Sequence, residues 1–339
     1  MAHASLWFLA RSRFDAVTGR SYGAEDEAVN VDAKATIAAI IPTFRRWPYL
    51  VETVRYLNAQ SRLPDEIVIV DQTPRADLPE GQPQRLMDES GVKVVYEYQK
   101  EPLVYRARNR AAQLASSELL LYLDDDIIPD ADLVKEYLRV MEDPAIDAAT
   151  GSNPTMLAED DQIPPPEDLT IEELAFEFPY LRINRRLERT PFSPACHFCI
   201  RKSVLAEIGG WDERILTYGD KDIGLRLWKA GKNIVYDPGP KLIHIAAKMG
   251  GTRLSDSRSP WLSWERCVSH FYLGFRHLHG IYFWKYAVWP AARATMLLRR
   301  NALDPTRWPQ EIWGFLKGFW VARKWAKLCI KSSFPRAKG

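Results

Sequence analysis

Three short apolar runs, each closing on polar or acidic residues, constrain this fold more than any other feature. They are ATIAAIIPTF (Ala35–Phe44), EIVIVDQT (Glu66–Thr73) and LLLYLDDD (Leu119–Asp126). Runs this short, apolar at successive positions and rich in Ile and Val, read as strands buried on both faces. Between them lie segments of helical spacing: Tyr49–Gln60, with Leu50, Val54 and Leu57 on one side, and Val104–Ala115, preceded by the strand-like VKVVYEY. A further helix is expected over Ala131–Met141. Strands alternating with helices at this spacing predict an α/β fold with a mainly parallel, Rossmann-like sheet and helices on both faces. Ligands of such sheets collect beyond the carboxyl ends of the strands. Pro42, Thr43, Asp71 and Asp124–Asp126 all stand there.

The chain divides by composition into three parts. Residues 1–34 are polar and short on periodicity, an N-terminal extension. Residues 35–255 carry the strand–helix alternation, interrupted by the Pro-rich, acidic NPTMLAEDDQIPPPE (Asn153–Glu167) and resuming helical spacing at Ile171–Phe178. CHFCIRKSVLAE reads as a strand and a short helix, Lys221–Ala230 as a helix stopped by Gly231, and NIVYDPG and KLIHI as two short strands. Residues 256–339 are basic and rich in Trp: from Trp261 onward there are 14 Lys/Arg against 3 Asp/Glu and 8 of the 12 Trp, although net charge is only +2. Such asymmetry points to a charged surface as partner.

Four cysteines in a chain of 339 residues make no disulfide framework, so a reducing compartment is expected. The N-terminus lacks the long apolar region of a signal peptide. The longest apolar stretch, Ile281–Leu298, is broken by Lys285, Pro290 and Arg293 and does not read as a membrane span. Residues Glu311–Ile330 read instead as a helix with Ile312, Phe315, Leu316 and Phe319 on one side, and with Trp313, Trp320, Lys317 and Lys324 beside them. Apolar wedge, aromatic rim and flanking Lys describe either a helix lying in a membrane interface or one packed on the domain with a solvated Lys edge. No nucleic-acid-binding motif accompanies the basic residues, and no nucleic-acid partner is expected.

Three consecutive carboxylates repel unless water, hydrogen bonds or a cation offset their charge. Asp124–Asp126 is therefore either a solvated Asp-rich turn or a metal site at a strand end. The wider sequence weighs on this choice. The order IIPTF, IVIVDQT, ARN, LDDD, GGWDE, GDKDIGLRLWKAG and then a His before GGTR resembles family 2 glycosyltransferases of the GT-A fold, over roughly Ala35–Arg253.

That resemblance implies an inverting transferase that moves a sugar from a nucleotide-sugar donor to an acceptor hydroxyl. It also implies a divalent cofactor, Mn2+ or Mg2+, on the departing diphosphate. It assigns Asp126 to the metal, Asp124 to ribose or metal-bound water and Asp125 to an exchangeable role between them, with His244 as a further ligand. Asp71 falls to the nucleobase or its ribose, Pro42 and Thr43 to the base pocket, and Arg108 and Arg253 to the nucleotide and its pyrophosphate. The catalytic base of the family's E-D-x-D run falls on Asp220, with Asp222 the later acid. Gly219 stands where the family usually has Glu, which puts the support of that base in question. Trp211 and Asp212 of GGWDE fall on the acceptor side.

Two other readings suit the same residues. One is a nucleotidyltransferase, although IIPTFRRWP has no Gly-rich phosphate loop; the other is a non-catalytic, membrane-associated sugar-nucleotide binder. CHFC (Cys196–Cys199) lacks a second cysteine pair and does not read as a zinc site. The expected setting is the cytoplasm, peripheral on the inner face of a membrane, with a glycan or lipid-linked acceptor.

Overall fold

A computed structural model describes residues 35–78, 80–153, 186–191, 193–245, 247, 264–280, 283–284, 286 and 308–335. The N-terminal extension, most of the acidic insert, the helix expected at Ile171–Phe178, and Arg253 with its glycine pair lie outside them. The strands are β1 (Ile37–Thr43), β2 (Glu66–Asp71), β3 (Val94–Tyr98), β4 (Leu119–Leu123), β5 (Ile127–Pro129), β6 (Ala148–Ser152), β7 (His197–Arg201) and β8 (Ile234–His244). They form one mixed, mostly parallel sheet in the order β3-β2-β1-β4-β7-β6-β8-β5. The β3-β2-β1-β4 half is parallel, and β7 enters antiparallel between β4 and β6.

The continuous apolar runs are explained by two cores, one on each face of the sheet. Along β1, Ala38 and Ile40 point into one cluster, and Ile37, Ala39 and Ile41 into the other. The second cluster is closed by helices α1 (Trp47–Asn58), α2 (Gln82–Glu89) and α4 (Leu133–Met141). The first is closed by α3 (Val104–Leu114), α5 (Lys202–Glu207) and α6 (Gly219–Lys229), and by two C-terminal helices, α7 (Trp264–His277) and α8 (Trp308–Ala326). This is the GT-A-type α/β architecture expected from the sequence, with the C-terminal helices added.

The C-terminal helices share the core of the sheet. Cys267, Phe271, Tyr272, Ala322 and Phe334 are all buried in the first cluster. Helix α8 approaches α7 so closely at Gly318 that a Cβ there would lie 2.7 Å from the Cβ of Cys267. Its Phe315 and Phe319 meet Phe271 edge-on. The opposite side keeps Trp313 and Trp320 exposed, at 66% and 63%, alongside exposed Leu316, Lys317 and Lys324. The packed reading of this helix is the one observed: Phe315 and Phe319, expected in an interfacial wedge, face Phe271 and the core, and the other side is an exposed aromatic and basic surface. Among the described residues, no helix is long and apolar enough to cross a membrane.

Candidate active site

The carboxyl ends of β1, β2 and β4 open onto a cavity of about 460 Å³. Pro42, Thr43, Arg108, Asp124, Asp125, Asp220 and His244 all line it. Asp71, Asp126, Trp211, Asp212 and Asp222 do not. Each of these is buried and engaged inside the chain.

The three aspartates after β4 are differentiated by what they touch. Asp124 remains partly exposed and meets Arg108 Nη2 at 3.2 Å. Asp125 accepts a hydrogen bond from the Thr43 hydroxyl at 2.7 Å and from Arg46 Nη1 at 3.1 Å. Burial and the adjacent Asp126 push its carboxyl up to about 7, against the pull of Arg46 and Thr43. Asp126 is fully buried; its oxygens accept from the Ala247 N–H at 2.7 Å and from His244 Nε2 at 3.1 Å, and Arg46 stands 3.2 Å away. Burial opposes ionisation there, but His244, Arg46 and the Ala247 N–H together hold Asp126 below the ordinary carboxylate range. The mutual repulsion of the triplet is therefore offset by Arg46 between Asp125 and Asp126, by Arg108 on Asp124, and by the His244, Thr43 and Ala247 donors; Arg46 also donates to the Ala247 carbonyl at 3.0 Å. The triplet is structured, and a solvated turn does not describe it. Arg46 was not singled out from the sequence, because FRRWP looks like an ordinary solvated corner.

His244 ends β8, whose antiparallel pairing with β5 sets Ile127 opposite His244. Burial alone would lower this imidazole. The bond to Asp126, with Cys196 and Asp124 alongside, carries it well above its usual value. His244 Nε2 lies 3.5 Å from an Asp124 oxygen. Potential ligand atoms of Asp124, His244 and Cys196 all fall within 4.8 Å of one another. A carboxylate, an imidazole and a thiol suit a divalent transition metal. Two further donors on the cavity wall, Arg108 Nε and the Thr217 hydroxyl, are buried without a partner among the described residues, as expected where an oxygen-rich anion is to be bound.

Of the three arginines near ARN, only Arg108 reaches the cavity. Arg110 makes a forked pair with Glu97 at 2.6 and 2.7 Å, and Arg106 pairs with Glu101 and Glu213. The Arg108 guanidinium lies over the rings of Trp211 and Tyr105, at 5.1 and 5.4 Å. Trp211 and Tyr105 themselves stack at 5.6 Å. Trp211 thus forms the floor beneath Arg108. Asp212 forks onto Arg214, at 2.8 Å to Nη2, and accepts from the Tyr272 hydroxyl. Arg214 in turn donates to the Cys329 carbonyl at 2.7 Å, so this pair fastens α7 and the end of the chain to the domain.

Asp220 and Asp222 lie two residues apart on α6, about 200° around the helix, and so face opposite ways. Asp222 turns into the core, paired with Arg226 at 2.7 Å and His277 at 2.9 Å, and these hold it below the ordinary carboxylate range despite burial. Asp220 faces the cavity, and its carboxyl is raised, chiefly by burial. The helix starts from Tyr218 in the left-handed region (φ 66°), a conformation that costs a bulky residue about 1–3 kcal/mol. The Gly219 N–H donates to the Tyr105 hydroxyl at 2.7 Å, tying the turn that carries Asp220 to α3.

Asp71 ends β2 with both oxygens occupied, by the Thr73 N–H at 2.7 Å and the Tyr96 hydroxyl at 2.8 Å. The neighbouring Gln72 lines the cavity in its place.

Such a sheet, with an acidic cluster at its strand ends and a carboxylate across the same cavity, is the arrangement expected of a GT-A glycosyltransferase. The chain belongs to glycosyl transferase family 2, whose pattern matches residues 38–209. The nucleotidyltransferase reading is thereby set aside. Among solved structures, the chain is similar to the mannosyltransferase PcManGT from Pyrobaculum calidifontis, in complex with GDP-Man and Mn2+. The two are 16% identical, with a TM-score of 0.52 over 96% of this chain and 97% of that one. It is also similar to GalNAc-T7 with UDP, GalNAc and Mn2+, at 16% identity and a TM-score of 0.50, over 71% of this chain and 52% of that one. At this identity the likeness speaks for the fold. A search of curated proteins finds no match.

Proposed function

We propose that this protein is an inverting, metal-dependent glycosyltransferase. It moves a sugar from a nucleoside-diphosphate sugar to an acceptor hydroxyl of a glycan or lipid-linked acceptor, in glycan, polysaccharide or glycolipid synthesis. The observation that carries this reading is the sharing of one cavity by the Asp124–Asp125–Arg108 wall and by Asp220. Asp220 takes the acceptor proton as the acceptor oxygen bonds to the anomeric carbon. The bond from that carbon to the diphosphate breaks with its electron pair leaving on the diphosphate, so the anomeric configuration inverts. The buried setting that raises Asp220 makes it a stronger base than a solvated carboxylate. Arg108, over the Trp211 ring, supplies donors to the diphosphate. Thr43, Pro42 and Gln72 line the nucleoside end, and Asp71 braces the strand that presents it. Asp124 and His244 would hold a divalent cation, which would supply Lewis acidity to the leaving group; Asp126, assigned to the metal by the resemblance, is fully buried and bonds the His244 imidazole instead. Both similar structures are complexes with Mn2+, a divalent ion.

The exposed aromatic and basic face of α8 supports peripheral docking on the cytoplasmic face of an anionic membrane, where a lipid-linked acceptor would be met. The test of the catalytic reading is turnover of a panel of nucleotide sugars with Mn2+, Mg2+ or EDTA, with product configuration read by NMR. Metal-dependent release of one nucleotide, lost in Asp220→Asn, supports it. Tight nucleotide-sugar binding with no turnover in the presence of acceptor extracts would favour the non-catalytic binder.

A further inference from the structure

We propose that Cys196 is a thiolate ligand of the metal site, so that this centre is thiophilic. The inference rests on the metal-dependent reading above and concerns what the remaining coordination position is made of. Cys196 sits in the turn just before β7 and Asp124 just after β4; the antiparallel ladder of these strands ends with Leu123 opposite His197, so both residues leave it at the same end and line the cavity. An independent ladder, β5 with β8, brings His244 to the same corner. The three ligand atoms that result lie within 4.8 Å of one another, close enough for one ion to bridge them after small side-chain rotations.

The other cysteines are not so placed. Cys199 and Cys267 are buried in the cores and Cys329 is exposed near the end of the chain, whereas Cys196 lines the cavity beside Asp124 and His244. For an ion to bind, the Cys196 Sγ–H bond and one N–H bond of the His244 imidazolium would break, both protons would pass to solvent, and the freed sulfur and nitrogen electron pairs would bond the metal, with no change in oxidation state. An all-oxygen site favours Mg2+; a sulfur, nitrogen and oxygen set favours Zn2+, Co2+ or Cd2+, and leaves Mg2+ a weak competitor.

The experiment uses the full chain in a Cys329→Ser background and titrates it with Co2+, recording the visible ligand-field bands and the near-ultraviolet thiolate-to-cobalt charge-transfer band. The expected result is both sets of bands, resistant to excess Mg2+. In Cys196→Ser the charge-transfer band is lost and cobalt affinity falls by at least the roughly 10–100-fold that even supporting residues of a metal site contribute. Visible bands without the charge-transfer band overturn the thiolate ligand and leave the metal-dependent reading intact. Absence of all cobalt bands overturns both. An unchanged charge-transfer band in Cys196→Ser also overturns the assignment. Alkylation of Cys196 by iodoacetamide gives a second measure on the unsubstituted site: saturating Cd2+ is expected to block it, and an unaltered rate contradicts the proposal.

Discussion

The ring of Tyr105 fills the space that any side chain at Gly219 would enter. A Cβ built on Gly219 would lie 2.3 Å from Tyr105 Cε1 and 2.4 Å from Cζ, and the Gly219 N–H donates to the same residue's hydroxyl. The glycine that departs from the family's usual acid is therefore matched by an aromatic on a different helix, which holds the turn bearing Asp220. Gly219→Ala is expected to destabilise the fold by about 1–3 kcal/mol through overpacking and to cut turnover strongly. Gly219→Glu should do more harm, and adding Tyr105→Ala to it should restore part of the loss. Tyr105→Phe keeps the ring and loses one hydrogen bond, about 1 kcal/mol. Denaturation of Gly219→Glu, Tyr105→Ala and their double variant gives the coupling; additive effects would mean the two residues are independent.

Arg46 is the second fixed point of the site. It is the buried cation between Asp125 and Asp126, and Arg46→Met leaves two buried carboxylates facing one another. The expected cost is about 3–5 kcal/mol in urea denaturation. Arg46→Lys should recover only part, since a single ammonium cannot span both carboxylates and the Ala247 carbonyl. A Met variant as stable as the wild type would show that the triplet does not depend on this guanidinium.

Stability should fall on the acid side for a reason distant from catalysis. Fully buried His197 accepts from the Tyr137 hydroxyl at 2.9 Å, and its other ring nitrogen lies 3.2 Å from the carbonyls of Ser152 and Pro240. Burial lowers its pKa to about 3. Between about pH 6.5, where the unfolded histidine titrates, and about pH 3, the unfolded chain holds a proton that the folded chain does not. Stability from this residue is complete above about pH 6.5, declines by about 1.4 kcal/mol per pH unit as pH falls through the window, and levels off below about pH 3. His197→Gln, which keeps a donor and an acceptor but does not titrate, should flatten the decline in denaturation curves taken across this range. An unchanged slope in that variant would assign the decline elsewhere.

The exposed face of α8 carries the membrane reading. Co-sedimentation with vesicles containing anionic lipid should retain the protein at low salt and release part of it at high salt. Trp313→Ser with Trp320→Ser should release most of it while leaving catalytic turnover of a soluble acceptor unchanged. Equal binding to neutral and anionic vesicles, or none to either, would count against the basic aromatic face as a docking surface.

Much of this architecture is legible in the residues, and what is not has specific causes. Strands β1, β2 and β4 are continuous apolar runs because both faces are covered. Strand β6, AATGS, carries no such signal: its small residues pack closely, and a Cβ at Gly151 would lie 2.3 Å from the Pro240 carbonyl. Strand β8 reads as two pieces because Pro238-Gly239-Pro240 interrupts it, yet it runs on as one strand through a break in register with β6. Helix α2 begins at GQPQ and buries only Leu86, too little periodicity to find. In the site, Asp124, Asp220 and Arg108 follow from local motifs and helix geometry. Cys196, Tyr105 and Arg46 reach it through strand register and packing between distant elements, which no local pattern encodes. Trp211 was readable as a site residue but not its role, because whether an aromatic faces a ligand or supports an arginine depends on what lies above it.

Metal-dependent recognition of a nucleoside diphosphate at the Asp124 corner is the most direct consequence of the proposed function. Isothermal titration of UDP and GDP into the full chain, with Mn2+ and again with EDTA, measures it. Binding of at least one of them with Mn2+, lost in EDTA and in Asp124→Ala, is the predicted result. No heat from either nucleotide in the presence of metal, or equal affinity in EDTA and in the variant, would contradict it.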